Sequence, residues 1–153
     1  MNWFRRSRDT PSGPPAAASH NYTLGGIEIS SPWARASSSE AGEGGGFFVL
    51  TNKGAVPDRL VAATSPDAER VEIHAITVVG SGIRMRQREN GLALSPGTTL
   101  TLKPRGYHLL LIGLKTLPQE GRRIAVTLTF ETAGNLDIEC VVAAPGPVGE
   151  KAI

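Results

Sequence analysis

"VEIHAITVVGSGIRMRQR", residues 71–88, consists of two short apolar runs around the turn "GSG", and their alternation decides the fold. Within "RVEIHAITV" (70–78), Glu72, His74 and Ile76 fall on one side and Val71, Ile73 and Ala75 on the other. That is the period of two that a strand imposes. Within "GIRMRQR" (82–88), Ile83, Met85 and Gln87 oppose Arg84, Arg86 and Arg88. Met85 is therefore expected to face inward beside Ile83, while the three arginines face water or an acidic partner.

The same pattern extends in both directions. Further strands are expected at 26–35, 45–52, 58–65, 98–104, 107–114, 123–131 and 136–144, bounded by Gly, Pro, Asn and Asp. No stretch sustains a helical period, and 18 Gly with 11 Pro suit many turns. Short strands about a dozen residues apart imply an all-β antiparallel sandwich or barrel in a single domain. Residues 1–24, rich in Pro, Ser, Ala and Arg, are expected to be a disordered lead-in. The folded domain is expected over 25–144 and a flexible tail over 145–153. "GEGGG" (42–46) leads into a strand, not a helix, so it reads as a mobile turn and not as a phosphate cradle.

Composition narrows the chemistry. The formal net charge is only +2, and beyond "RRSR" (5–8) there is no long basic block, so a nucleic-acid footprint is not expected. No run reaches the ~18 apolar residues of a membrane span, so membrane insertion is not expected. The N-terminal segment has positive charges but no apolar core after them, so no signal peptide is visible. A single cysteine, Cys140, excludes an intramolecular disulfide and a cysteine-based zinc cluster, and it reads as a small core residue on a strand.

Catalytic patterns are missing too. The sequence holds no G-x-S-x-G, H-E-x-x-H, P-loop or helix-opening G-x-G-x-x-G. Asp67 and Glu69 lie at a turn without an apolar pocket to separate their pKa values, so hydrolysis is not expected. What is left is His74, Met85 and His108. Imidazole nitrogen and thioether sulfur suit a soft cation, above all Cu(I), and suit Mg²⁺ or Ca²⁺ badly. Strands ~4.8 Å apart can bring such donors together from separate segments. On alternation alone, each histidine also reads as a satisfied core or rim residue.

Longer stretches carry a resemblance. "SPWARASSSEAGEGGGFFVLTNKGAVPDRLVAATSPDAERVEIH" resembles the opening of the periplasmic copper chaperone family PCu(A)C. "LSPGTTLTLKPRGYHLLLIGLKTLPQEGRRIAVTLTFETAG" resembles its second half, so the likeness runs from about Gly26 to Ala144. The resemblance implies a cupredoxin-like antiparallel Greek-key β-sandwich holding Cu(I) at an exposed His/Met site. The family pattern is a His, ten residues, a Met, about twenty-two more, and a final His-x-Met; His74, Met85 and His108 match its first three positions.

The fourth position is Leu110 instead of Met, and Ala75 stands where some members carry a Met after the first His. The expected ligand set is thus two imidazoles and one thioether, with weaker or less selective Cu(I) binding and Cu(II) still within reach. The implied function is non-enzymatic: capture of Cu(I) outside the cytoplasm, in the periplasm. The ion would pass to an oxidase subunit, such as the dinuclear copper centre of cytochrome c oxidase, or to another copper chaperone. A monomer is expected. The alternative is the same sandwich with copper binding lost, acting as a metal-free interaction module.

Overall fold

The computed structural model describes residues 20–37, 42–80, 82–116 and 118–144, with the backbone alone described at 77–79, 83 and 84. Its regular elements are strands: β1 (Asn21–Leu24), β2 (Ile27–Ala36), β3 (Glu43–Asn52), β4 (Asp58–Thr64), β5 (Ala68–Val79) and β6 (Gly82–Gln87). The series continues with β7 (Leu92–Leu94), β8 (Thr99–Leu102), β9 (His108–Leu114), β10 (Arg123–Phe130) and β11 (Gly134–Val142). No helix occurs among the described residues. The all-β expectation therefore holds.

Hydrogen bonding runs β2–β11–β10–β4–β5–β9–β3, and β3 pairs back with β2. The sheet thus closes on itself like a barrel, which removes most of the free edges that an open sheet would expose. β1, β6, β7 and β8 are added outside this ring, on β2, β5, β4 and β3 respectively. One pairing departs from the antiparallel expectation: β11 meets β2 in parallel, through Val141–Trp33 and Val142–Ala34. β2 reaches both neighbours because its register shifts between Ser30 and Trp33, where Ser31 takes a positive φ of 52°.

The interior of the ring is one apolar cluster that includes Ile29, Phe48, Leu50, Leu60, Ile73, Leu109, Leu111, Leu128 and Ile138. Cys140 belongs to it, and burial pushes its thiol up to about 12, as befits an inert core residue. The buried carboxylate of Asp58 is satisfied locally. Asp58 accepts from the amides of Arg59, Thr132 and Ala133, tying the β10–β11 turn to β4. Gly91, at φ +76°, lets the chain pass the β4 backbone: a Cβ there would sit 2.0 Å from the Leu60 carbonyl oxygen.

Three expectations need correction. Residues 21–24, assigned to the lead-in, form β1 by pairing with 27–30. β7 was not anticipated at all; it is three residues long and held by β4. Glu43–Gly46 are not a mobile turn but the first part of β3, between β2 and β9. The glycines there allow close backbone approach, since a Cβ on Gly44 would meet the Arg35 carbonyl oxygen at 2.8 Å. Residues 1–19 and 145–153, expected to be disordered, lie outside the described residues.

Candidate metal centre

β5 is flanked by β6 on one side and β9 on the other, and both registers are continuous around His74. His74 pairs directly with His108 on β9, Glu72 pairs with Leu110, and Ile76 pairs with Met85 on β6. Residues directly opposite each other in a sheet share a face, so His74, His108, Leu110, Glu72, Ile76 and Met85 lie on one surface. Ile73, Leu109 and Leu111 belong to the interior cluster, on the other surface. Met85, expected to face the core, therefore lies on the outer face and is half-buried. The expected facing of Ile83 and Arg84 falls on side chains outside the description.

A second apolar cluster lies on β2, β3 and β11, next to His108. It comprises Trp33, Phe47 and Val141, with Ala143 packed against it. The Trp33 and Phe47 rings are 4.5 Å apart, and Phe47 lies 6.3 Å from His108. Arg35 sits over Trp33 and Phe47 at 5.6 and 6.0 Å, and burial pulls its guanidinium below the usual value. Gly45, paired with both Arg35 and Leu110, offers no side chain at that point of the face.

The two imidazoles face each other at 6.0 Å between centroids and 24° between planes. His108 is fully buried and His74 is 8% exposed. This differs from the exposed site that the resemblance implies, and Phe47 packs beside His108. His108 Nδ1–H donates to the Gly106 carbonyl at 2.9 Å. His74 Nε2–H donates to Glu72 Oε1 at 2.9 Å, and Arg70 Nε–H donates to Glu72 Oε2 at the same distance. The bonds from His74 first, and from Arg70 next, hold the Glu72 carboxyl below the usual carboxylate range. His74 Nδ1 is buried and makes no hydrogen bond to the described residues. A buried polar nitrogen without a partner costs free energy unless something else occupies it.

Chemically, the face presents two adjacent imidazoles and a thioether diagonal to one of them. Among the described residues, no group of three or more His, Cys, Asp or Glu is arranged to hold a metal. The soft donor that this face adds to the two imidazoles is the sulfur of Met85, opposite Ile76 on the neighbouring strand. Leu110, 6% exposed and two residues beyond His108 on the same face, contributes no donor atom. Sequence reasoning placed Glu72 on the face of His74 but missed the bond between them. The usable signal was the spacing Arg70-x-Glu72-x-His74, which aligns the three along one face of a strand.

Residues 27–142 match the family model described as "Putative lipoprotein LpqE-like". The chain belongs to the LpqE-like family. This LpqE-like chain is also 31% identical, over 117 residues, to "Putative lipoprotein Lxx21020" of Leifsonia xyli, spanning 76% of the chain and 69% of that relative. Among solved structures it resembles the copper-bound PCuAC domain from PmoF2, with a TM-score of 0.70 and 28% identity over 82% of this chain and 99% of that one. It also resembles CuI-DR1885 from Deinococcus radiodurans, with a TM-score of 0.63 and 25% identity over 84% of this chain and 83% of that one. The LpqE-like chain thus has the fold of PCuAC domains, in keeping with the resemblance read from its sequence.

Proposed function

We propose that this chain is a copper carrier that binds Cu(I) through His74, Met85 and His108 and passes it to another protein. One observation carries the reading: two imidazoles are paired across adjacent strands, and one nitrogen, His74 Nδ1, is buried without a hydrogen bond to the described residues. Copper-bound relatives of the same fold support it. So does the donor set, since two imidazoles and one thioether form a soft, three-coordinate site and the two imidazoles can still hold Cu(II). The family description as lipoproteins supports a place outside the cytoplasm. The closed sheet is compatible with a cupredoxin-like Greek-key arrangement, and the chain is read as a monomer.

Transfer on this reading is ligand exchange, not catalysis. Met85 is half-buried while both imidazoles are buried, so an incoming thiolate or imidazole displaces the thioether first. The acceptor is a copper-requiring oxidase subunit, such as the one carrying the dinuclear centre of cytochrome c oxidase, or another copper chaperone. Arg86 and Arg88 are exposed beyond Met85, and Arg88 and Lys103 line a groove of about 430 Å³ with Leu100 and Tyr107. That surface suits an acidic acceptor. Reversing charge at Arg86 and Arg88 should slow copper transfer by roughly tenfold, more at low ionic strength, without changing copper affinity. Stopped-flow transfer to an acidic acceptor checks it; an unchanged rate removes the docking role.

Leu110 favours a second reading, the same sandwich without its metal. Competition for Cu(I) against a chromogenic chelator separates the two. Leu110→Met nearly conserves volume, costing under about 1.5 kcal/mol of stability, and adds a thioether to the face. The expected result is one Cu(I) equivalent in the wild type. Affinity in Leu110→Met should rise by at least the roughly tenfold that outer-shell changes alone produce at metal sites. No binding by the wild type, with binding restored in Leu110→Met, means that this chain kept the fold and lost the metal.

A further inference from the structure

We propose, on the copper reading of this face, that Glu72 is a positioning residue that makes His74 bind through Nδ1 while His108 binds through Nε2. A carboxylate oxygen only accepts, so the 2.9 Å contact to Glu72 Oε1 requires the proton of His74 to sit on Nε2. The lone pair is then on Nδ1, the nitrogen that is buried without a hydrogen bond among the described residues. A carbonyl oxygen also only accepts, so the Gly106 contact puts the His108 proton on Nδ1 and its lone pair on Nε2. Two different backbone and side-chain acceptors therefore set opposite tautomers in two rings that face each other.

Glu72 is itself held. Arg70 donates to its second oxygen, so the carboxylate is clamped between residues two positions away on either side. Arg70 is largely exposed and Glu72 is about four-fifths buried, so the chain of bonds runs from solvent to the buried ring. A metal-bound imidazole whose other nitrogen donates to a carboxylate is a better-oriented and more basic ligand, and losing such a partner costs about 10–100-fold in metal affinity. Glu72 also faces Leu110 across the β5–β9 pair. The position lacking a thioether thus adjoins the group that orients His74.

The test is long-range ¹H–¹⁵N correlation of the full chain labelled at histidine, first without metal and then with Cu(I). The metal-free protein should show His74 protonated at Nε2 and His108 protonated at Nδ1. Cu(I) should move the resonances of His74 Nδ1 and His108 Nε2. In Glu72→Ala the tautomer preference of His74 should be lost and Cu(I) affinity should fall by about 10–100-fold, with the His108 tautomer unchanged as a control for folding. Glu72→Gln, which keeps the shape and an acceptor oxygen, should fall in between. A Cu(I) shift at His74 Nε2, or wild-type affinity in Glu72→Ala with an unaltered tautomer, overturns the assignment alone. No shift at either ring overturns the copper reading and the assignment with it.

Discussion

Replacing His108 by Ala should weaken Cu(I) binding by more than about a hundredfold. Losing a group that merely orients a ligand already costs about 10–100-fold at metal sites, and on the proposed reading His108 binds the ion itself. Its neighbour on the same face is Leu110, its cross-strand partner is His74, and Met85 lies on the far side of β5. The variant would keep one imidazole and one thioether, too few for tight capture of a soft ion. Chelator competition measures the loss, and a thermal melt run in parallel separates it from unfolding, because His108 is fully buried. Affinity within a few fold of wild type in a folded variant would remove His108 from the site.

Phe47→Ala should be the most damaging single change to stability outside the ring interior. Phe47 is fully buried on the outer face, against Trp33 and near His108, with Arg35 over its ring. Deleting a buried phenylalanine side chain costs about 3–5 kcal/mol when the surroundings cannot collapse. Here they are held by the pairings of β2 and β9 on either side of β3, so relaxation is limited. A loss of that size is a large part of a typical domain stability of about 5–15 kcal/mol, and it should lower Tm by roughly 10–20 °C. Copper affinity should fall with it, since the wall beside His108 is gone. Denaturant melts showing a loss below about 1 kcal/mol would mean that this second cluster does not support the site.

Much of the fold was legible because alternation is a local property. "RVEIHAITV" and "RIAVTLTFE" place apolar residues every second position, and both are strands. β1 and β7 were not legible. β7 has three residues between two turns, and β1 lies in a polar stretch, so pairing to β2 and β4 defines them more than their own composition does. Closure of the ring was equally hidden. It depends on a register shift in β2 at Ser31 and on a two-residue parallel contact with β11, and neither leaves a compositional trace.

The site was legible in part, and for a different reason. Both faces of β5 and β9 carry apolar residues near the histidines, so periodicity could not separate interior from exterior. It placed Met85 in the core, whereas the unbroken register with β5 puts it opposite Ile76 on the outer face. Only pairing, a long-range property, brings His74 opposite His108 across 33 intervening residues. The "FF" of β3 divides in the same way, Phe47 going to the outer cluster and Phe48 to the interior. The packing of Phe47 on Trp33 depends on the β2–β3 register, so the apolar neighbour of His108 could not be read in advance.

Copper-edge X-ray absorption of the Cu(I)-loaded full chain counts the donors around the ion, and so distinguishes binding by His74, Met85 and His108 from binding elsewhere. The chain's sulfur atoms are those of Met1, Met85 and Cys140, and Cys140 lies in the ring interior with its thiol pushed up to about 12. Two imidazole nitrogens and one sulfur are expected, with the sulfur scattering lost in Met85→Leu while both nitrogens stay. Copper bound without sulfur in the wild type, or sulfur scattering that survives Met85→Leu, would contradict binding by these three residues.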